Sequence, residues 1–277
     1  MMNSWKWIWR LSASLSAAAT LALAAGFGYG AREMMFPRSN GMETASPAEA
    51  PLAQREPSKD DGSYRIAAIG DSLAKGTGDV TGQGFARRTA ALLEPQSDTE
   101  KNGKNVHFLN NLGINGMTTQ QLLGELEEPG VQYVLKEANL ILLSIGANDL
   151  FQGGAALQTG TGAPAADSIE RVLPEAESRL EQALDKLREI NPSADIVYVG
   201  LYNPFGDIDA LRETGNAGIS KWNAAASALI AVRAGMTLTP TFDLFQRDTA
   251  AYLSFDHFHP NAAGYERIAD RIVQGLR

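Results

Sequence analysis

Ile66-Ala67-Ala68-Ile69-Gly70-Asp71-Ser72-Leu73 is the stretch on which the reading of this chain turns. Four apolar residues in a row suit a strand buried on both faces, as in a parallel sheet. A serine placed directly after such a strand stands at the carboxyl edge of the sheet, where α/β proteins gather their binding sites. Ser72 is therefore the candidate nucleophile. So short a motif matches often by chance, and its weight depends on what the rest of the chain sets beside it.

Apolar or β-branched runs recur at residues 106–109, 140–145, 196–201 and 236–241. Helical patterns separate them. The clearest covers residues 174–190, where Leu180, Ala183, Leu184, Leu187 and Ile190 fall at helical spacing with Glu and Arg opposite. Pro174 suits the first turn of that helix, and Asn191-Pro192 stops it. Residues 120–126, 131–138, 222–232 and 262–276 read as further helices. This alternation predicts an α/β fold, a three-layer α/β/α sandwich around a five-stranded parallel sheet. In that topology the first three strands end at Ser72, near Gly116 and at Asn148, so these positions converge on one edge.

Four blocks then stand in order: Gly70-Asp71-Ser72-Leu73, Asn115-Gly116-Met117-Thr118, Gly146-Ala147-Asn148-Asp149 and Asp256-His257-Phe258-His259-Pro260. In order and rough separation they match the SGNH (GDSL) hydrolase family, which the chain resembles from about residue 64 onward. Gly76-Thr77-Gly78-Asp79 and Gly200-Leu201-Tyr202-Asn203-Pro204-Phe205 are similar to exported bacterial lysophospholipase-like esterases of that family. The resemblance implies a flavodoxin-like sandwich and a serine ester hydrolase working through an acyl-enzyme, without cofactor or metal. There is no Gly-x-Ser-x-Gly elbow of the lipase-type α/β-hydrolases.

The residue chemistry agrees. A serine hydroxyl is a weak nucleophile at neutral pH and needs an adjacent base. Of His107, His257 and His259, only His259 has a carboxylate three residues before it and a proline directly after. Asp256 can accept the Nδ1 proton and leave Nε2 facing Ser72. The resemblance assigns the acid and base to this pair. His257 is expected to be a loop or pocket-wall residue and His107 a surface or packing one. The resemblance also assigns the oxyanion donors to the Ser72 and Gly116 backbone N–H groups and the Asn148 amide. Glycine lets a backbone N–H approach a substrate with no Cβ in the way, and asparagine is a donor that does not titrate. Read alone, Gly116 is a turn glycine and Asn148 a cap. Asp71 and Asp149 are expected to hold loops by accepting hydrogen bonds. Tyr202, Asn203 and Phe205, at the end of the fourth strand, line an acyl pocket or pack the strand end.

Composition bounds the rest. Of 277 residues, 44% are apolar, enough for a full core. Cysteine is absent, which removes disulfides and thiolate chemistry. The net charge is −8, and residues 1–62 carry six basic and six acidic side chains, so the excess lies in the remainder. Such a surface repels nucleic acid, and no basic aromatic stripe offsets it. Lys6 and Arg10 precede residues 11–31, which carry no charge. This is a signal peptide, with Ala22-Leu23-Ala24 as a cleavage site, or an uncleaved anchor with Trp5, Trp7, Trp9 and Tyr29 at the interfaces. Either reading puts the enzyme outside the cytoplasm, secreted or held at the membrane. Residues 32–62, rich in Pro, Ala, Ser and Glu, are expected to form a flexible tether, and 63–277 the hydrolase domain. Residues 152–166, rich in Gly, Ala and Thr, are a candidate lid or rim. The expected partner is an ester substrate, a lipid or an acylated glycan, met by a monomer. An O-acyltransferase or acetyl-esterase on envelope polysaccharide, and a non-catalytic envelope module, are the alternatives.

Overall fold

β1 (Ser63–Gly70) lies between β2 (Asn105–Gly113) and β3 (Leu140–Ser144) in a five-stranded sheet ordered β2-β1-β3-β4-β5. β4 (Asp195–Val199) and β5 (Met236–Thr239) complete it, and every pairing is parallel. The computed structural model describes Thr20 and residues 62–95, 105–151 and 166–276. The leader or anchor at 1–31 (Thr20 aside), the tether up to residue 61 and the candidate lid up to residue 165 lie outside the described residues. Contacts set Pro57–Arg277 apart as one unit.

The strands show why the sheet is covered on both faces. Ile66, Ala68, Leu140, Leu142, Val197 and Val199 point into one core. Their neighbours Ala67, Ile69, Ile141, Leu143, Ile196 and Tyr198 point into the other. Successive side chains alternate across a strand, so a continuous apolar run serves both layers. On the first face pack α2 (Gly84–Leu93) and α10 (Ala262–Leu276), through Phe85, Ala86, Tyr265 and Ile268. On the second pack α3 (Thr119–Glu125), α4 (Pro129–Glu137), α6 (Ala166–Ile190) and α7 (Asp209–Ala231). Short helices complete the described elements: α1 (Ser72–Lys75), α5 (Ala147–Phe151), α8 (Phe242–Phe245) and α9 (Thr249–Tyr252).

Two helices are longer than the sequence pattern predicts. Pro174 does not open its helix; α6 begins at Ala166 and carries the proline inside. Ile169, Leu173 and Ala176 extend the buried stripe of Leu180, Ala183 and Leu184 upstream, and that burial outweighs the proline. α7 begins at Asp209 rather than near Trp222. Gly215 and Gly218 lower the helix propensity of its first half, but both are buried contact points. A Cβ on Gly215 would stand 2.4 Å from Asn203 Oδ1.

β2 is an edge strand and runs past residue 109 to Gly113, with a register shift opposite Ile66/Ala67. Its end is fastened by Asn111, whose Nδ2 donates to Ala74 O at 2.8 Å and whose Oδ1 accepts from Gly113 N. Asn191 ends α6 and is buried. Its Nδ2 donates to Leu135 O and Ala138 O, and its Oδ1 accepts from Ser193 N and Ala194 N. A buried amide so fully bonded joins α4, α6 and the entry to β4 at little desolvation cost.

Candidate active site

Gly70 brings β1 against β3 at the carboxyl edge. Its φ is +131°, and a Cβ there would lie 1.8 Å from Ser144 O. Asp71 N donates to that same Ser144 O at 2.9 Å. Asp71 then caps α1, its Oδ1 accepting from Leu73 N at 3.0 Å and from Ser144 Oγ at 3.2 Å. Ser72 is the first residue of α1, so its own N–H lies outside the helix's internal bonding. The serine is thus held by backbone on two strands.

The second loop of the site follows β2. Ile114 N donates to Gly70 O, and Thr77 Oγ1 donates to Asn115 Oδ1 at 2.7 Å, which ties this loop to the one after α1. Gly116 is exposed, has φ +79°, and has open space where a Cβ would stand. The third loop follows β3. Gly146, at φ +120°, lies under the Trp222 ring, whose Cζ2 would be 2.2 Å from a Cβ. Asn148 in α5 is buried, and one of its amide N–H groups donates to Met117 O at 2.8 Å. The amide carries a second N–H. Asp149 accepts from Thr119 N (2.9 Å) and Thr119 Oγ1 (2.7 Å), locking the start of α3 to α5. Asp71 and Asp149 both hold loops, as the sequence suggests.

The last block is a loop organised by its own carboxylate. Asp256 Oδ1 accepts from Ser254 Oγ (2.7 Å), Phe258 N (3.0 Å) and His259 N (2.9 Å). That leaves Oδ2 to accept from His259 Nδ1 at 2.7 Å. His259 Nε2 faces Ser72 Oγ at 2.8 Å. Burial raises the Asp256 pKa, but the hydrogen bonds from His259, Ser254 and Phe258 outweigh it and hold it at about 2. The ionised carboxylate can only accept, so the imidazole proton sits on Nδ1 and Nε2 is left to accept from the serine. His257 takes a left-handed conformation (φ 52°) and is exposed, and His107 is exposed on β2. Neither joins this chain of hydrogen bonds.

An open cleft of ≈ 350 Å³ lies at the serine and the histidine. Beyond Asp71, Ser72 and His259 its lining is mainly apolar: Leu73, Ala147, Phe151, Leu201, Pro204 and Phe258, with Tyr202. Tyr202 stacks on Phe245 at 4.0 Å and donates its hydroxyl to Phe258 O at 2.5 Å. Asn203 and Phe205 stand behind the lining. Asn203 is buried, donating to Arg212 O and Asn216 Oδ1 and accepting from Phe205 N. Phe205 packs edge-on against Phe151 at 5.2 Å. The sequence does not mark Phe151 or Phe258 as lining residues; their only signal is an aromatic beside a polar block for Phe151 and within one for Phe258. Among the described residues no group of three or more His, Asp or Glu side chains is placed to hold a metal ion.

These features place the protein among the hydrolases of carboxylic ester bonds. The chain belongs to the GDSL-like Lipase/Acylhydrolase family, whose model matches residues 68–267. It is 30% identical over 215 residues to the uncharacterized protein YpmR of Bacillus subtilis (strain 168), covering 76% of this chain and 81% of the relative. It is 28% identical over 217 residues to the spore germination lipase LipC of Bacillus licheniformis, covering 75% and 94%. In fold it is similar to the lipase Lip_vut3 from a goat rumen metagenome, with TM-score 0.62, 24% identity and coverage of 76% and 96%.

Proposed function

We propose that the protein is a serine esterase that cleaves apolar acyl esters outside the cytoplasm through a Ser72–His259–Asp256 triad. The observation that carries this reading is the hydrogen-bonded line from Ser72 Oγ through His259 (2.8 Å) to Asp256 (2.7 Å), opening on an apolar cleft. Ser72 Oγ attacks the acyl carbon while His259 Nε2 takes its proton. The carbonyl oxygen becomes an oxyanion and is met by the Ser72 and Gly116 N–H groups and the free N–H of Asn148. His259 returns the proton to the leaving alcohol, and an acyl group remains on Ser72. Water then enters, gives its proton to the same nitrogen and releases the acid. Asp256, ionised throughout, keeps the imidazole in the right tautomer and stabilises its charged form.

The uncharged run at residues 11–31 supports export, as a cleaved leader or an anchor. The mostly apolar lining of the cleft favours a lipid acyl chain over an acetyl group, and the likeness to a spore germination lipase points the same way. The test is hydrolysis of p-nitrophenyl esters of two to sixteen carbons by the full-length protein, beside Ser72→Ala and His259→Ala. The expected result is turnover that both variants abolish. Turnover surviving Ser72→Ala would remove the nucleophile, and transfer to an added alcohol in preference to water would make the protein an acyltransferase.

A further inference from the structure

A second, shallow hollow, open to solvent, lies between α6 and α7, lined by Ile169, Glu170, Thr214, Ala217, Gly218 and Lys221. It has no part in the hydrogen-bonded line at Ser72. Of its lining residues, Ile169 shares a buried cluster with Phe151, and Gly218 stands against the Phe151 ring tip. The Phe151 ring tip, Cζ, lies 4.0 Å from where a Cβ on Gly218 would stand, and two carbons of Ile169 lie within 3.1–3.2 Å of the same point. Phe151 also lines the cleft at Ser72. One ring therefore lines the cleft and, at its tip, meets Gly218, which lines the second hollow.

Phe151 is held there firmly. It is 2% exposed, packs edge-on against Phe205, and belongs to the same buried cluster as Ile169, Ile219 and Phe258. A row of aromatic rings runs from the histidine inward: Phe258 is 5.1 Å from the His259 ring, Phe205 is 6.3 Å from Phe258, and Phe151 is 5.2 Å from Phe205. Lys221 and Glu170, both lining the second hollow and both exposed, pair with each other. Between the cleft and that ion pair stand Phe151, Gly218 and Ile169.

We infer that Phe151 is the specificity-determining residue of this esterase: its ring ends the acyl cleft and closes the way to the α6–α7 hollow, which limits the length of acyl chain accepted. This rests on the reading that the cleft at Ser72 binds the acyl group. The glycine at 218 is part of the device, because a Cβ there would already crowd Ile169 at 3.1–3.2 Å and a longer side chain would reach the ring tip. Removing the ring joins the two hollows into one apolar channel, suited to a long-chain fatty acyl ester.

The experiment measures kcat/KM of the full-length protein on p-nitrophenyl esters from four to sixteen carbons. In Phe151→Ala the ratio of the twelve-carbon to the four-carbon ester is expected to rise at least about tenfold, since methylenes newly accommodated in an apolar pocket discriminate on that scale. Phe151→Leu, which leaves more of the core filled, moves the ratio the same way by less and carries the test if the alanine variant does not fold. Adding Gly218→Leu to Phe151→Ala refills the passage and returns the ratio toward that of the unaltered protein. An unchanged ratio in folded Phe151 variants, with turnover that still depends on Ser72, overturns the gate and leaves the esterase reading standing. Ester turnover that persists in Ser72→Ala overturns the esterase reading itself.

Discussion

The two sides of the cleft are built by different means. The polar side is assembled from loop ends, each fixed by a local device: the Asp71 cap for Ser72, the Asp149–Thr119 clasp beside Asn148, and the self-bonded Asp256 loop for His259. The apolar side comes from tertiary packing, where Phe151, Phe205 and Phe258 are brought together from α5, the turn after β4 and the C-terminal loop. A hydrogen bond of wrong length is lost, so the polar side needs short-range control. Dispersion contacts tolerate exchange of one apolar group for another of similar volume, so the packed side is free to vary. Chemistry is fixed on one side and substrate choice is tunable on the other.

If that division holds, changes on the polar side abolish turnover whatever the ester. Ser72→Ala is expected to lower kcat by up to about 10⁶-fold, the scale on which triad serines act. Asp256→Asn keeps the loop's shape but lets the imidazole take the wrong tautomer, and a loss of about 10⁴-fold is expected. Both are read from initial rates on a short and a long ester. A loss confined to one chain length would break the division. Asn148→Ala is expected to lower kcat by about 10²–10³-fold with little change in KM, as the loss of one oxyanion donor does. A change confined to KM would remove Asn148 from the oxyanion site.

Asp71 and Asp256, two of the three carboxylates of the polar side, titrate in opposite senses. Burial lifts the Asp71 pKa to about 7, against the lowering effect of its bonds from Leu73, Ser144 and Ala74, and the charge of Asp149 adds to the rise. Its Oδ2 is buried with no hydrogen-bond partner among the described residues. The folded protein therefore holds a proton on Asp71 that the unfolded chain gives up above about pH 4. Between pH 4 and 7 this group costs stability as pH rises. Asp256 is the reverse: its contribution is complete above its ordinary carboxylate range and is lost as pH falls toward about 2. In Asp71→Asn, stability relative to the unaltered protein should climb across pH 4–7 and level off above, by at most about 4 kcal/mol. Urea unfolding at a series of pH values measures it. A difference independent of pH would show that Asp71 does not titrate in that window.

The same division explains what the sequence disclosed. Ser72, Asn148, Asp256 and His259 sit in short blocks whose order and separations resemble those of the SGNH family, and a parallel sheet then has to collect the strand ends on one edge. Three strands were readable because Ile66–Ile69, Leu140–Leu143 and Ile196–Val199 are apolar without interruption, and β2 and β5 because apolar residues flank His107 and Thr237. Asn110 and Asn111 hid the end of β2, since asparagine is a poor strand former and the strand is held there by the bond from Asn111 to Ala74. Gly215 and Gly218 hid the first half of α7 because their reason is tertiary contact with Asn203 and Ile169. Phe151 carried only a weak signal: an aromatic three residues after Asn148 looks like any core residue until its neighbours are known.

Tyr202 tests where one side ends and the other begins, with the smallest effect. Its ring belongs to the apolar lining and stacks on Phe245, while its hydroxyl donates to the carbonyl of Phe258, the residue before His259. Burial pushes the phenol pKa well up, so it remains a neutral donor at any working pH. Tyr202→Phe leaves the stack in place and removes the donor, which strands a buried carbonyl and costs roughly 1–3 kcal/mol of stability. If the Asp256 loop is fixed by its own bonds, kcat should fall less than about threefold and the chain-length profile should not move, even as the unfolding midpoint drops. If instead the hydroxyl helps to aim His259, kcat will fall equally for short and long esters, and the C-terminal loop must then be counted as positioned by the apolar side as well as by its own carboxylate.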